Sequence, residues 1–538
     1  MLKHRGEYWG YCTGIWEDGR AFGVIRSRNL VDWQPLAGAL EPLPGNHPCY
    51  WAPEVAYFEG LFYLYYSVGN EERMEIRVAV ADHPAGPFAD SGRKLTHEPF
   101  AIDAHVFADV DGLRWLFYAT DFLDRSHVGT GTVRDRLPDP FRLEGNPRPV
   151  ALPRHDWHVY HPNRPEKGGV RWHTVEGPFV LRRKGVYYEM FSGGNWQSPT
   201  YGVSYATART FSGTAEWEQA DLPILHSAGE VVGPGHNSAV RGPDNRQTWC
   251  VYHRWSAGLK ERVLAIDPLD WAGERMLVLG PTTTPQPAPN EPAIVDLLDA
   301  PAVVVPGEEI RYETGTPSFL VEVSVRGDFA VILGDELRIE GSAPCFRLLR
   351  LEVDSLRVAA SLDEEAPFSK TRIAEPVTAV SLAQGEFSAF ALTPGWEDLF
   401  EDDGDPSGLG WEGAGWRVEQ GRLRGEGSSW IFKGPTPADF LAVINARLES
   451  SDGEYLIALG EDGPRIALKN FPIPAGFDPR TDQQLRLRKI GNKVEIAWEG
   501  HPLGEIEAPA GPLRLGLGTA EATASFEAVR VSAISKGQ

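Results

Sequence analysis

The chain has 538 residues, room for two to four domains, and a formal net charge of −23. So acidic a chain argues against nucleic acid as a partner, because a phosphate backbone needs clustered Lys and Arg, and it disfavours acidic lipid surfaces and anionic polymers. Its 57 Gly, 43 Pro and 17 Trp point to many turns and short aromatic strands rather than long helices.

In chain order, one pattern occurs five times in the first half. The copies are H-R-G-E-Y-W-G-Y-C-T-G around Gly6, F-E-G-L-F-Y-L-Y-Y-S-V-G around Gly60 and V-D-G-L-R-W-L-F-Y-A-T around Gly112. R-K-G-V-Y-Y-E-M-F-S-G-G around Gly185 and P-D-N-R-Q-T-W-C-V-Y-H around Asn245 complete the set. A turn residue followed by aromatic and β-branched residues reads as a hairpin. The turns stand 54, 52, 73 and 60 residues apart, a period suited to one four-stranded propeller blade per copy. The long segment from Pro138 to Thr174 carries Trp157, His158, Tyr160, His161, Trp172 and His173. It reads as a site rim or as a loop packed on the blades' own face.

After Trp271 the repeat stops. Pro281 to Pro292 is a stiff extended linker. Alternating segments then predict a small β domain over residues 300–392 and a lectin-like jelly roll over 393–538, with a hairpin turn at Gly491-Asn492. The acidic run Glu401, Asp402, Asp403 and Asp405 reads as a solvated turn, with calcium binding as the alternative. The fold class is therefore all-β, a five-bladed β-propeller over residues 1–290 followed by two β-sandwich-type domains. Cys12, Cys49, Cys250 and Cys345 show no paired spacing and read as reduced thiols. No run of about 18 apolar residues spans a membrane. The first ten residues lack the apolar core of a signal peptide, so the chain as written reads as cytoplasmic.

In a propeller, one register in successive innermost strands forms a ring at one mouth of the central channel. Nine positions before the turn residue stand Trp51, Asp103, Glu176 and His236. An aromatic, two carboxylates and a histidine suit a sugar site: the aromatic packs on C–H surface, and carboxylates transfer protons. Cleaving a glycosidic bond needs one protonated carboxyl for the leaving oxygen and one ionised carboxylate for water. Glu176 takes the acid role, and Asp103, one blade earlier, raises its pKa by like-charge repulsion.

The motifs W-A-P-E-V (Trp51 to Val55), A-I-D-A-H-V-F (Ala101 to Phe107), V-E-G-P-F (Val175 to Phe179), G-P-G-H-N-S (Gly233 to Ser238) and R-V-L-A-I-D-P-L-D-W (Arg262 to Trp271) resemble those of glycoside hydrolase family 43. The resemblance covers roughly residues 1–290. It implies inversion at the anomeric carbon and release of xylose, arabinose or sometimes galactose units from plant-type glycans. By the same resemblance Glu176 is the general acid and Asp103 the pKa modulator. His236 lies in the channel, where relatives hold a calcium ion or water, and Arg262 braces the carboxylates. No other cofactor is implied, and the oligomeric state stays open. The family's general base, an Asp of the first blade, falls nine positions before Gly6, which is ahead of Met1. Asp18 reads as a turn residue and Glu54 as facing away from the mouth. A hydrolase therefore stands beside a second reading, a non-hydrolytic carbohydrate-binding or scaffolding protein on an inactive propeller. Five-bladed fructosidases rank lower, since neither an Asn-Asp-Pro opening nor a Glu-Cys acid motif is present.

Overall fold

The computed structural model describes residues 1–211, 216–335, 337–363 and 365–534, nearly all of them in strands and turns. The chain divides into two compact units. One holds residues 1–241, 248–269 and 280–286, and the other holds 242–247, 270–279 and 287–538. No helix among the described residues is long and apolar enough to cross a membrane.

The first unit carries the five-bladed propeller apart from the outer strand of blade five, Arg275–Val278. Blade one is Leu2–His4, Glu7–Tyr11, Ala21–Ser27 and Gln34–Leu40, and blade two runs from Cys49–Phe58 to Ala89–Lys94. Blade three begins with Ala101–Ala108, blade four with Val170–Arg183 and blade five with Val232–Arg241. A short parallel pairing of Gly129 and Thr130 with His173 and Thr174 joins the sheets of blades three and four. The turns explain why the repeat is visible in the sequence. At Arg5-Gly6, Glu59-Gly60 and Lys184-Gly185 both turn residues have positive φ, the two-residue turn whose twist matches paired strands, and Gly takes the second place without strain.

Alternation along the strands sends one set of aromatic side chains to each neighbouring blade. Trp9 and Phe22 meet Tyr50, Phe62 and Tyr66 between blades one and two. Tyr63, Tyr65 and Ile76 meet Leu116 and Tyr118 between two and three. Phe117 meets Val175, Tyr187 and Phe191 between three and four. Tyr8 and Leu30 of blade one close the circle on Val240, Trp249 and Val251 of blade five. The core is thus a set of wedges between sheets, and the innermost strands are left to face a channel.

The second unit carries two apolar clusters. One contains Phe319, Val321, Leu349, Leu351, Phe387 and Phe390. The other contains Trp396, Trp411, Ile444, Leu485, Leu517 and Val531. A single strand, Ala379–Asp398, lines both, giving Phe387 and Leu392 to the first and Trp396 to the second. Its end pairs with the closing strand Leu515–Ala533, Gly395 opposite Ser532 and Asp398 opposite Val529. The hairpin at Gly491-Asn492 forms, with Ile490 paired to Lys493. In the acidic run, Asp405 accepts a hydrogen bond from the Ser407 N–H and starts a short 3-10 turn, Pro406–Leu409. Residues 281–292 hold neither strand nor helix.

Candidate active site

The innermost strands of blades two to five share a defect near one end. Each loses pairing register, between Trp51 and Glu54, Ile102 and His105, Glu176 and Phe179, and Gly235 and Ser238. One residue of each bulge has positive φ: Ala52 at 42°, Asp103 at 62°, Gly177 at 59° and His236 at 49°. A bulge turns the backbone N–H out of the ladder, and here each freed N–H is taken by the preceding blade. Ala52 donates to Thr13 Oγ1 at 3.1 Å, Asp103 to Ser67 Oγ at 3.0 Å and His236 to Ser192 Oγ at 2.7 Å. The fourth, Gly177, donates to Asp103 Oδ2 at 3.0 Å. That bond carries the side chain of blade three to the foot of Glu176 in blade four.

His236 completes the group. Its Nδ1 lies 4.0 Å from Asp103 Oδ2, and its ring sits where a Cβ on Gly177 would come within 3.3 Å. Asp103, Glu176 and His236 each offer an atom within 4.8 Å of the others, the one such trio among the described residues. Asp103 is 5% exposed, and Glu176 keeps part of its surface open.

This setting raises both carboxyl pKa values. Burial lifts Asp103, against the pull of the Gly177 N–H. Burial and then the Asp103 charge lift Glu176, against His236, Tyr201 and Arg262. Burial lowers His236, although the Glu176 charge works the other way. A neutral imidazole thus faces two carboxyls that resist joint ionisation, an arrangement that keeps a proton at near-neutral pH. As a calcium site the trio fits poorly. Calcium takes six to eight oxygens, and here two carboxyl side chains and one nitrogen converge.

Trp51 stands on the same register but rests partly on an apolar cluster of Cys49, Met74, Phe100, Ile102 and Ala119. Arg262 reaches Glu176 through its charge, which lowers the acid's pKa. Its guanidinium lies 4.8 Å from the centre of the Trp196 ring, and it forms no ion pair with Asp103 or Glu176 among the described residues. Asp18 is a turn residue, accepting from the Gly38 and Arg20 N–H groups. Glu54 is engaged by His105, whose Nδ1 is 2.9 Å from Oε1. In the loop before the acid, His158, Trp172 and His173 are buried. Tyr160 is the site-facing member: burial raises its phenol, and it also feels the Glu176 charge.

Sequence reasoning missed Tyr201. Its hydroxyl donates to Glu176 Oε1 at 2.8 Å, from a fully buried ring. A tyrosine just ahead of the strand Gly202–Ala208 carries no signal, since its partner is 25 residues away on another strand.

The profile described as glycosyl hydrolases family 43 matches residues 1–276. The chain is 31% identical over 268 residues to the protein named β-D-galactofuranosidase xynD of Aspergillus niger, a match spanning 46% of this chain and 70% of that one. To the protein named α-L-arabinofuranosidase 43 of Humicola insolens it is 26% identical over 271 residues, 47% of this chain and 53% of that one. A solved structure described as a thermostable family-43 glycoside hydrolase is 32% identical, with a TM-score of 0.47 over 54% of this chain and 94% of that chain.

Proposed function

The chain belongs to glycosyl hydrolase family 43, and we propose that it is an inverting glycosidase acting on arabinose-, xylose- or galactofuranose-containing glycans, with Glu176 as general acid and Asp103 holding it protonated. The observation that carries the reading is the Gly177 N–H to Asp103 Oδ2 bond, which seats one carboxyl behind the other. In the reaction, Glu176 gives its proton to the glycosidic oxygen as the bond to the anomeric carbon breaks. Water attacks that carbon from the opposite face, activated by an ionised carboxylate. The carboxyls of acid and base stand about 6.5–9.5 Å apart in inverting enzymes. Asp103 is too close to Glu176 for the base role, with carboxyl oxygens within 4.8 Å.

Retaining enzymes hold their two carboxyls about 5–5.5 Å apart, near this separation. Asp103 is nevertheless a poor nucleophile, being almost fully buried with Oδ2 taken by Gly177. A nucleophile has to touch the anomeric carbon. The proposal routes no step through a metal ion.

Among the sugars, furanosides are favoured. Two relatives carry the names galactofuranosidase and arabinofuranosidase. β-D-Galactofuranosyl and α-L-arabinofuranosyl groups share ring configuration and differ by one exocyclic carbon. The test is a panel of nitrophenyl α-L-arabinofuranoside, β-D-galactofuranoside and β-D-xyloside, with the first-formed anomer followed by proton NMR. Turnover of a furanoside with an inverted first product supports the reading. A retained first product overturns the inverting reading, and binding without turnover of any member makes the propeller a carbohydrate-binding domain.

A further inference from the structure

Tyr201 is tied to Glu176 by more than one hydrogen bond's worth of packing. Its ring fills the space where Gly235, two strands away, would carry a Cβ; that atom would lie 2.2 Å from the ring edge. On its other side it stacks on the His253 imidazole, with centroids 5.7 Å apart and planes inclined by 20°. Gly235 and His253 are directly paired across neighbouring strands. The ring is therefore held by blade five while its hydroxyl points at blade four. Burial and the Glu176 charge push the phenol well above its ordinary value, so it keeps its proton and acts as donor.

We propose that Tyr201 is a positioning residue that fixes which oxygen of Glu176 carries the proton: Tyr201 occupies Oε1, so the acid presents its proton on Oε2. This rests on the reading of Glu176 as general acid. In a neutral carboxyl the carbonyl oxygen is the better acceptor. A permanent donor at Oε1 thus places the hydroxyl at Oε2 and excludes the other tautomer. When the proton passes from Oε2 to the glycosidic oxygen and the C–O bond breaks, the electron pair left on Glu176 is shared over both oxygens. The Tyr201 bond then becomes charge-assisted and stronger. It stabilises the carboxylate more than the acid, which is differential binding of the transition state. Tyr201 itself gives up no proton.

Tyr201 is one of four side chains that act on the Glu176 pKa. Asp103 opposes ionisation from blade three, while His236 and Arg262 of blade five favour it, as Tyr201 does. Tyr160, on Val159–Arg164, is itself raised by the Glu176 charge, after burial. Loss of the hydroxyl should therefore raise the Glu176 pKa.

The experiment compares wild type, Tyr201→Phe and Glu176→Gln over aryl and alkyl furanosides as a function of pH. For Y201F the alkaline limb of kcat should move up by about one pH unit, the size of a hydrogen bond to a charged group. Activity on alkyl leaving groups should fall at least tenfold more than on dinitrophenyl ones. An unmoved limb with a uniform loss across leaving groups overturns the inference and makes Tyr201 a packing residue. E176Q separates the two levels. If it is as active on alkyl as on dinitrophenyl glycosides relative to wild type, the general-acid reading itself falls, whatever Y201F does. Should Y201F not fold, fluorotyrosine at position 201, a stronger donor of nearly the same shape, should move the limb down. An unchanged limb then overturns the inference.

Discussion

Removing the Asp103 charge while keeping its shape isolates what one buried carboxylate does to another. Asp103→Asn retains an oxygen that can accept the Gly177 N–H. What disappears is a negative charge no more than 4.8 Å from Glu176. At an effective dielectric constant of about 20, that separation corresponds to about 3.5 kcal/mol, or roughly 2.5 pH units. In the native pair two protons leave in two steps, and loss of the second ends acid catalysis. The repulsion delays that second loss. In D103N the alkaline limb of kcat should therefore fall by about two units, with burial still keeping Glu176 above an ordinary glutamate. At neutral pH this is a loss on the order of a hundredfold. Activity should recover as the pH is lowered. The assay is the pH profile of kcat on a nitrophenyl furanoside, with folding checked by circular dichroism at each pH. A limb that stays in place, with activity reduced equally at all pH values, would refute the coupling and leave Asp103 as a structural support.

Three other outcomes follow from the same physics. Glu189 is fully buried with the Thr132 hydroxyl on one oxygen, and burial pushes it up from 4.5 to about 8. Its folded pKa is above its unfolded value, so its neutral form is tolerated below about 4.5 and stability is lost as pH rises to about 8. The full cost is about 5 kcal/mol. Glu189→Gln should remove that loss, seen as a stability gain over wild type in urea melts at pH 9 that vanishes at pH 5. Lys433 is buried with its Nζ 2.6 Å from both Asp354 and Asp398. Lys433→Met should destabilise the second unit by about 3 kcal/mol, because it leaves two buried carboxylates to share the single Arg357 guanidinium. Adding D354N and D398N should restore much of this, measured by denaturant unfolding. Finally, buried neutral His4 and His158, both lowered to about 3 by burial, keep their stabilising neutral form above the unfolded value near 6.5. That contribution is lost as pH falls from about 6.5 toward 3, so stability should decline over this window, and less so in His158→Gln.

The spacing of turn residues made the blades legible, because Gly at a type I′ position is required by sterics and recurs in the chain. It also put Asp103, Glu176 and His236 on one register, and they do meet. The device that brings them together left little trace. Of the four bulge residues, Gly177 alone is a glycine; Ala52, Asp103 and His236 take positive φ where nothing in the sequence asks for it. Their strain is borne by hydrogen bonds to Thr13, Ser67 and Ser192, ordinary residues elsewhere in the chain. Arg262 was legible as a cation near the site but not as a lid on Trp196, since a long side chain's end-point depends on which faces are free. The aromatic and histidine loop gave one site-facing residue, Tyr160, while His158, Trp172 and His173 went inward. Composition cannot separate a rim from a core when both use the same residue types. In the second unit, the strand Ala379–Asp398 lines both apolar clusters, and the alternation that marks a strand does not tell how many cores it will serve.

The central claim is that Glu176, kept protonated by the carboxyl behind it, hands a proton to a leaving oxygen. Leaving-group dependence in Glu176→Gln tests this most directly. General-acid help is worth about 10²–10⁴-fold for a group that departs badly and little for one that departs alone. E176Q should lose about that factor on an alkyl furanoside and less than about tenfold on the dinitrophenyl furanoside. Equal losses on both substrates, or no loss on either, would contradict the account.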